Sequence, residues 1–277
     1  MSSRADLVLL WATVLSVGCG AGSPLLHGAH TLPARRTSWG AGLSGTFATG
    51  RAADAVQAAR ATAPSSDGLA PAARDRVLAQ ATAVGAAMPP AVAPWVSGRV
   101  GFESLMEAGL TYTGRSVRLD GRHAFEWGRV ALSAGLGASA VLSGPTGDKT
   151  AGTPARPEGS TYFEVAHPRG FGADLPLLIG WQDSSQIVTV WTGPRGGFER
   201  LTAEVSLTLP SPARRGDLSI GRWYWGWLVG FAVGFRHVHG AIELCAYQQA
   251  VHGNVLGTDV SVTGITVAPA AALLATF

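Results

Sequence analysis

Three side chains near the end of the sequence have the types and spacing of a metal site. His237, His239 and Glu243 all lie at odd-numbered positions, so a β-strand would place them on one face with the two imidazoles close together. No strong ligand beyond these three is identifiable to complete a site. We therefore interpret the trio as polar residues hydrogen-bonded to their neighbours, and we expect no bound metal.

Other patterns that could carry chemistry are incomplete. A hydrolase or acyltransferase needs serine, histidine and acidic side chains that converge, and the sequence contains no nucleophile elbow. The Gly-x-Gly stretches at 40–42 and 135–137 and the Gly-Pro-Thr-Gly at 144–147 lack the following helix and the lysine directly after the last glycine of a phosphate-binding loop. The net charge is +3, but the arginines are scattered and form no run that indicates nucleic-acid binding. We expect no enzyme, no cofactor and no nucleic-acid partner.

The charged residues have a more regular placement. They fall on one face of successive segments whose other face is apolar, which is the segregation expected of strands with charges inside a closed barrel. We expect them to form ion pairs that fill most of a narrow bore, because barrel width grows with strand number. The predicted lumenal polar network comprises Arg99, Glu103, Arg118, Asp120, Arg122, Glu126, Arg222 and Glu243.

A period of two dominates the sequence from Ser38 onward and predicts the strands that position these side chains. Hydrophobic residues make up 47% of the chain, yet after the N-terminus no run reaches the ~18 apolar residues of a spanning helix. We predict an all-β fold, an antiparallel up-and-down transmembrane β-barrel of about ten strands. Eight or twelve strands also fit the pattern.

Two observations favour a membrane barrel over a soluble, lipocalin-like barrel with its apolar face inward. The apolar faces carry no charged residue, which suits strands that face lipid. The polar faces are rich in glycine, which makes room for long side chains inside a narrow barrel. Trp223, Trp225 and Trp227, with Phe235 at the other end of the same segment, fit two interfacial aromatic girdles.

Three stretches interrupt the alternation. Residues 51–90 are rich in Ala and Pro and are predicted to form a long loop insertion with short helices; a plug inside the barrel is the alternative. Segments 144–160 and 193–218 contain much Gly, Pro and charge and are predicted to be longer loops. Asp183-Ser184-Ser185 is predicted to be a turn between two strands.

The N-terminus has the features of an export signal. An apolar run of eleven residues, 7–17, precedes Gly18-Cys19, so we predict a lipoprotein-like signal peptide at 1–18 and lipidation of Cys19. Ser16 stands where the lipobox usually has Leu, and ordinary cleavage after Gly18 or Gly20 is the alternative. Residues 19–36 are predicted to be a periplasmic linker before the barrel at 37–277.

The last strand resembles the insertion signal of the bacterial outer-membrane β-barrel family. Phe277 matches the terminal aromatic residue, and Leu273 is one of the apolar residues at alternating positions before it. The resemblance covers about residues 37–277 and transfers no catalytic or substrate residue. It implies that the outer-membrane assembly machinery recognises the final strand and that outer-membrane lipid surrounds the barrel.

The expected function is that of an outer-membrane barrel with a structural, surface-interaction or narrow-channel role. A small-solute transporter is the alternative, and a membrane-embedded enzyme or a soluble exported binding barrel is further from the pattern. The sequence identifies no solute.

Overall fold

The structure is a computed structural model. It describes residues 24–62, 71–88, 91–103, 105–114, 116–142, 163–207, 214–235 and 237–277. The predicted signal peptide and Cys19 lie outside these residues, and so does the predicted loop 144–160.

Ten β-strands form one closed antiparallel barrel in which each strand pairs with the next and the last pairs with the first. The prediction of a ten-stranded up-and-down barrel is therefore confirmed. The strands are β1 (Thr37–Thr49), β2 (Ala91–Phe102), β3 (Met106–Tyr112), β4 (Ser116–Trp127), β5 (Val130–Val141), β6 (Phe163–Gln182), β7 (Val188–Leu207), β8 (Arg214–Phe235), β9 (Val238–Val255) and β10 (Thr258–Thr276). Two helices, α1 (Arg51–Thr62) and α2 (Pro71–Ala87), follow β1.

The barrel has two unlike ends. At the terminal end, where β1 begins and β10 ends, two to five residues separate the paired strands. The predicted turn at 183–185 is one of these connections: Asp183 accepts backbone hydrogen bonds from Ser185 and Val188, and the bond from Val188 lowers the pKa of Asp183. At the helix end, residues 50–90 and 142–162 make longer connections. Short periplasmic turns, longer extracellular loops and both chain ends in the periplasm are the rule for bacterial barrels, so the terminal end is the periplasmic one.

The predicted outward and inward faces are both observed. On β9, Leu244 is 48% exposed on the exterior, whereas Glu243 beside it is 3% exposed in the interior. From the level of Trp223 to the periplasmic end, the outward positions of the described strands carry no Asp, Glu, Lys or Arg. Arg200 of β7, opposite Phe171, lies just beyond this level. The belt is instead lined with exposed apolar side chains, among them Trp39, Phe102, Leu119, Phe125, Trp127, Phe171, Ile179, Trp223, Trp225, Trp227, Phe231, Phe235, Ile242 and Leu273.

The five later strands are much longer than the five earlier ones. β1–β5 have 7–13 residues, whereas β6–β10 have 18–22. A tilted strand crosses a bilayer in about 9–11 residues. The longer strands therefore rise beyond the membrane at the helix end as a half-cylinder, which we call the wall.

The two faces of the wall exchange their character at the membrane boundary. On β8, the outward residues Trp223, Trp225 and Trp227 give way to Asp217 and Ser219 nearer the helix end. The inward residues change the opposite way, from polar groups such as Arg222 to Leu218 and Ile220. The same exchange occurs on β7, β9 and β10, where inward apolar residues near the helix end are Leu201, Ala203, Val205, Val251, Val255, Val260 and Val262.

Both helices pack on this apolar inner face of the wall. Ala83, Val84 and Met88 are buried against it, and the Thr266 hydroxyl donates to the Met88 sulfur over 3.1 Å. Residues 51–62 and 71–88 therefore form a plug at the helix end of the lumen. This is the arrangement predicted as the alternative, and not the predicted long loop insertion. Among the described residues, no helix is long and apolar enough to cross a membrane.

The structure differs from two other expectations. The predicted linker 19–36 is described from Pro24 onward, and residues 24–32 lie inside the barrel rather than below it. The predicted loop 193–218 is mostly strand, because β7 continues to Leu207 and β8 begins at Arg214. Its glycines and Pro194 occupy ordinary rungs of the sheet, for example Pro194 opposite Trp227.

The seam that closes the barrel extends to the last residue. The Thr37 N–H donates to the Phe277 carbonyl over 3.0 Å, and the Phe277 N–H donates to the Thr37 carbonyl over 2.8 Å. Phe277 is thus both a rung between β1 and β10 and an exposed aromatic residue at the periplasmic end.

Deleting Phe277 is expected to lower the amount of barrel in the outer membrane several-fold while export continues. The deletion removes the final pair of backbone hydrogen bonds and the terminal aromatic residue that the assembly machinery is expected to recognise. Immunoblots of outer-membrane and periplasmic fractions measure this, with Phe102→Ala as a control that removes an exposed aromatic residue elsewhere. Normal outer-membrane levels of the truncated chain would contradict the role of the final strand.

Candidate functional site in the barrel lumen

Arginines and carboxylates alternate in one continuous chain of ion pairs across the inner faces of β2–β7. Each carboxylate in the chain contacts two arginines. The N–O distances at Asp120 and Asp174 are 2.5–2.8 Å. The members are at most 8% exposed. Pairing of this kind compensates charges that would otherwise be very costly to bury. In order, the members are Glu107, Arg99, Asp120, Arg118, Asp174 and Arg195, and Arg122 joins at Glu107.

Small residues make room for this network, as the glycine-rich inner faces predict. A Cβ at Gly109 would meet the Arg99 guanidinium, and one at Gly137 would meet Arg118 and Asp174. A Cβ at Gly230 would likewise meet the Trp191 indole. The inner glycines therefore set how far the long side chains can reach across the bore.

Seven of the eight predicted network residues point into the lumen, but they form three groups rather than one. Arg99, Arg118, Asp120 and Arg122 belong to the chain of ion pairs, Glu126 and Glu243 contact the N-terminal segment, and Arg222 lies below the helices. Glu103 is the exception, since it is exposed in the turn after β2. Glu107, Asp174 and Arg195 complete the chain and were not in the predicted set.

The N-terminal segment, residues 24–32, occupies the periplasmic half of the lumen. Leu25 and Leu26 are almost fully buried, and their N–H groups donate to the two carboxylate oxygens of Glu243 over 2.8 and 2.9 Å. The Trp191 indole N–H donates to the same carboxylate over 3.1 Å. The periplasmic half of the bore is therefore closed by the chain itself.

The same segment is bound at two further places. The Thr31 N–H donates to Glu126 over 3.1 Å, and the Leu32 N–H donates to Glu107 over 2.8 Å. Arg122 donates to the carbonyl oxygens of Gly28 and His30. The segment is thus tied to the chain of ion pairs through two of its members.

Arg222 connects the lumen to the helix plug. Its guanidinium donates to the Ala87 carbonyl at the end of α2 over 3.0 Å, pairs with Glu199 at 2.6 Å and lies over the Tyr224 ring, 5.0 Å from its centroid. One buried arginine thereby satisfies a carbonyl at the helix C-terminus, where a cation is favourable. A second tie, Arg214 to Asp75 at 2.7 Å, is largely exposed.

The histidine and glutamate trio does not assemble into a site. His237 is exposed in the turn between β8 and β9, and His239 contacts the Gln186 carbonyl at 2.8 Å near the periplasmic mouth. Glu243 binds the N-terminal segment instead. Across the described ranges, no three His, Cys, Asp or Glu residues are grouped as metal ligands would be.

No protein-family model matches the chain, and no curated protein matches it significantly. Solved structures give low similarity. The chain is similar to Ail, the attachment invasion locus protein of Yersinia pestis (5% identity, 88% of this chain and 100% of that one, TM-score 0.33). It is also similar to Neisserial surface protein A (9%, 87% and 96%, TM-score 0.30) and to a major outer membrane protein from Thermus thermophilus (9%, 87% and 99%, TM-score 0.28). Similarities this low carry no argument about function.

The structure itself places the barrel in a membrane. At the height of the belt the ten strands close into a ring, the outward face is apolar, and the charges are inside. Only the wall beyond the belt has described strand edges without a β5 or β1 partner, at residues 163–169 and 258–264. A closed barrel satisfies all backbone hydrogen bonds without water, which hydrocarbon requires. The chain is therefore an outer-membrane β-barrel.

Proposed function

We propose that the protein is a closed outer-membrane barrel that acts at the cell surface, through the wall formed by β6–β10, rather than as an open pore. The observation that carries the proposal is that three parts of the chain occupy successive levels of the lumen. The N-terminal segment closes the periplasmic half, the ion pairs cross the middle, and α1 and α2 cover the helix end. A general porin needs a continuous aqueous bore instead.

The wall supplies a surface suited to interaction. Beyond the belt its outward side chains are polar and of both charges, and a groove of about 630 Å³ lies among them. The helices pack against the inner side of this surface, where Leu201, Ala203 and Leu218 are buried, so a packed sheet rather than a loop presents it. The groove is lined by Arg169, Thr202, Ala203, Glu204, Asp217, Leu218 and Ser219.

Conductance measurements in planar bilayers test the closed bore. We expect the purified protein to give no steady conductance steps under conditions in which a general porin, as the positive control, does. Inserted protein is verified beforehand by its altered gel mobility before and after boiling. Reproducible steps from the wild-type barrel would contradict the proposal and favour a small-solute channel.

A further inference from the structure

The N-terminal segment is held mainly through its main chain. Four of its N–H groups, those of Leu25, Leu26, Thr31 and Leu32, donate to lumenal carboxylates. Two of its carbonyl groups accept from Arg122. Every peptide carries these groups, and they make most of the polar contacts of the segment. Side chains add two more, between His27 Nδ1 and Arg122 at 2.9 Å and from the Thr31 hydroxyl to Glu126 over 3.4 Å. The segment adds four buried apolar side chains to this contact, those of Pro24, Leu25, Leu26 and Ala29.

The contact with Glu243 has the geometry of an anion-binding loop. Leu26 has a φ of 49°, in the left-handed region that residues other than glycine rarely adopt. This conformation turns two successive N–H groups toward one point, as in the backbone nests that bind anions. Glu243 fills that point with both oxygens, and the indole of Trp191 supports it from the barrel side.

We propose that the periplasmic half of the lumen is a binding site for an extended peptide, and that the chain's own residues 25–32 occupy it in this structure. Glu243, Glu126 and Glu107 are its acceptors and Arg122 is its donor. The segment joins β1 through residues 33–36, which are exposed at the mouth. It can therefore leave without breaking a rung of the barrel. The site faces the periplasm, so it stands apart from the proposed role of the wall.

A natural thiol reports whether the site is filled. Cys245 is 1% exposed, lies on the inner face of β9 and contacts the same Glu243 oxygen that accepts from Leu25, at 3.4 Å. The chain contains one other cysteine, Cys19, so a Cys19→Ala background leaves a single thiol. In that background the full-length barrel is expected to resist an aqueous maleimide.

Leu26→Pro tests the site while leaving its lumenal ligands unchanged. Proline has no N–H and fixes φ near −65°, so it removes one donor and excludes the left-handed conformation. We expect the labelling rate of Cys245 to rise roughly tenfold or more, as loss of hydrogen bonds to a charged group implies. Ala34→Pro, at an exposed position in the connection to β1, is the matched control and should leave Cys245 protected.

A peptide added to the full-length Leu26→Pro barrel then tests recognition. Synthetic PLLHGAHTL, the sequence of residues 24–32, should restore protection of Cys245 saturably. The same peptide with an N-methyl group on the nitrogen of its second leucine should not. Equal protection by both peptides, or a folded Leu26→Pro barrel in which Cys245 stays as unreactive as in the wild type, would overturn the proposal.

Deuterium exchange in the wild-type protein decides the matter if Leu26→Pro does not fold. A segment that occupies a site reversibly exchanges the Leu25 and Leu26 amides faster than the β9 amides beside Glu243, by roughly tenfold or more. Exchange as slow as that of the strand amides would show that the segment is a permanent part of the core, and the peptide site would be rejected.

Discussion

Asp174→Ala is expected to destabilise the inserted barrel by about 3–5 kcal/mol, the usual consequence of removing one partner from a buried ion pair. Asp174 accepts from Arg118 and Arg195 at 2.8 Å each, and all three side chains are at most 5% exposed. The substitution leaves two guanidinium groups buried without their shared carboxylate. Asp174→Asn should lie between the wild type and Asp174→Ala, because the amide oxygen keeps part of the hydrogen bonding.

Urea unfolding of the barrel in lipid vesicles, followed by tryptophan fluorescence, measures the effect. The matched control is Asp75→Ala, which also removes an aspartate paired with an arginine, but at a surface where such pairs contribute about 0–1 kcal/mol. A free energy of unfolding for Asp174→Ala within about 1 kcal/mol of the control would show that the lumenal charges are solvated rather than buried.

Leu244→Arg is expected to lower the stability of the inserted barrel by about 2–4 kcal/mol, the cost of an arginine facing the middle of a bilayer. Leu244 is 48% exposed on the apolar belt, so the guanidinium would meet lipid. Ser219→Arg is the control, since Ser219 lies on the outward face of β8 beyond the belt, where water solvates the charge. Equal losses for the two variants would contradict the position of the membrane boundary.

Thiol accessibility separates lipid exposure from burial in a protein core. Single cysteines at 242, 244 and 246, in a background without Cys245, should react with a lipid-dissolved probe and resist aqueous reagents. Cysteines at 243 and 247 should show little lipid labelling, because their side chains point inward. Labelling that does not alternate along β9 would contradict this strand assignment.

For strands whose two faces differ in polarity, the sequence is sufficient to predict which side chains point into the lumen and which point outward. A one-residue shift of register would expose every inward charge to lipid, so the alternation of β9, with Glu243 between Ile242 and Leu244, admits one orientation in a membrane. The same reasoning placed Arg99, Asp120 and Arg122 inside. It failed at Glu103, which has the opposite parity to Phe102 but lies one residue beyond the end of β2, where the chain turns into solvent.

Two kinds of feature could not be predicted from local pattern. Gly193, Pro194 and Gly196 around Arg195 predict a loop, although a closed barrel accepts these residues in its strands where neighbouring side chains are large. Before the turn at 183–185, the pattern of Leu175, Ile179 and Trp181 predicts a strand only from Leu175 onward, so it does not include Asp174. Extending its alternation by one residue would have placed the carboxylate inside.

The N-terminal segment is the second kind of feature that local pattern does not predict, a contact between distant parts of the chain. Its partners lie between 75 and 218 positions away in the sequence, and most of its polar contacts use main-chain atoms that every residue has. Nothing in the types of residues 24–32 distinguishes a segment bound in a barrel from a linker. Only the closed sheet brings Glu107, Glu126 and Glu243 to one space.

The exchange of faces along the wall gives one continuous sheet two different solvents. Near the periplasm the strands are held by hydrocarbon outside and by ion pairs within, and the stability of that half depends on the bilayer. Beyond the boundary, α1 and α2 cover an apolar sheet whose back is in water, so that half is stabilised by removal of apolar surface from water and carries the positive heat capacity of unfolding that accompanies it. Heating and chaotropes therefore change different contributions to the free energy of unfolding in the two halves. The helix-covered half can lose its packing while the spanning half remains inserted.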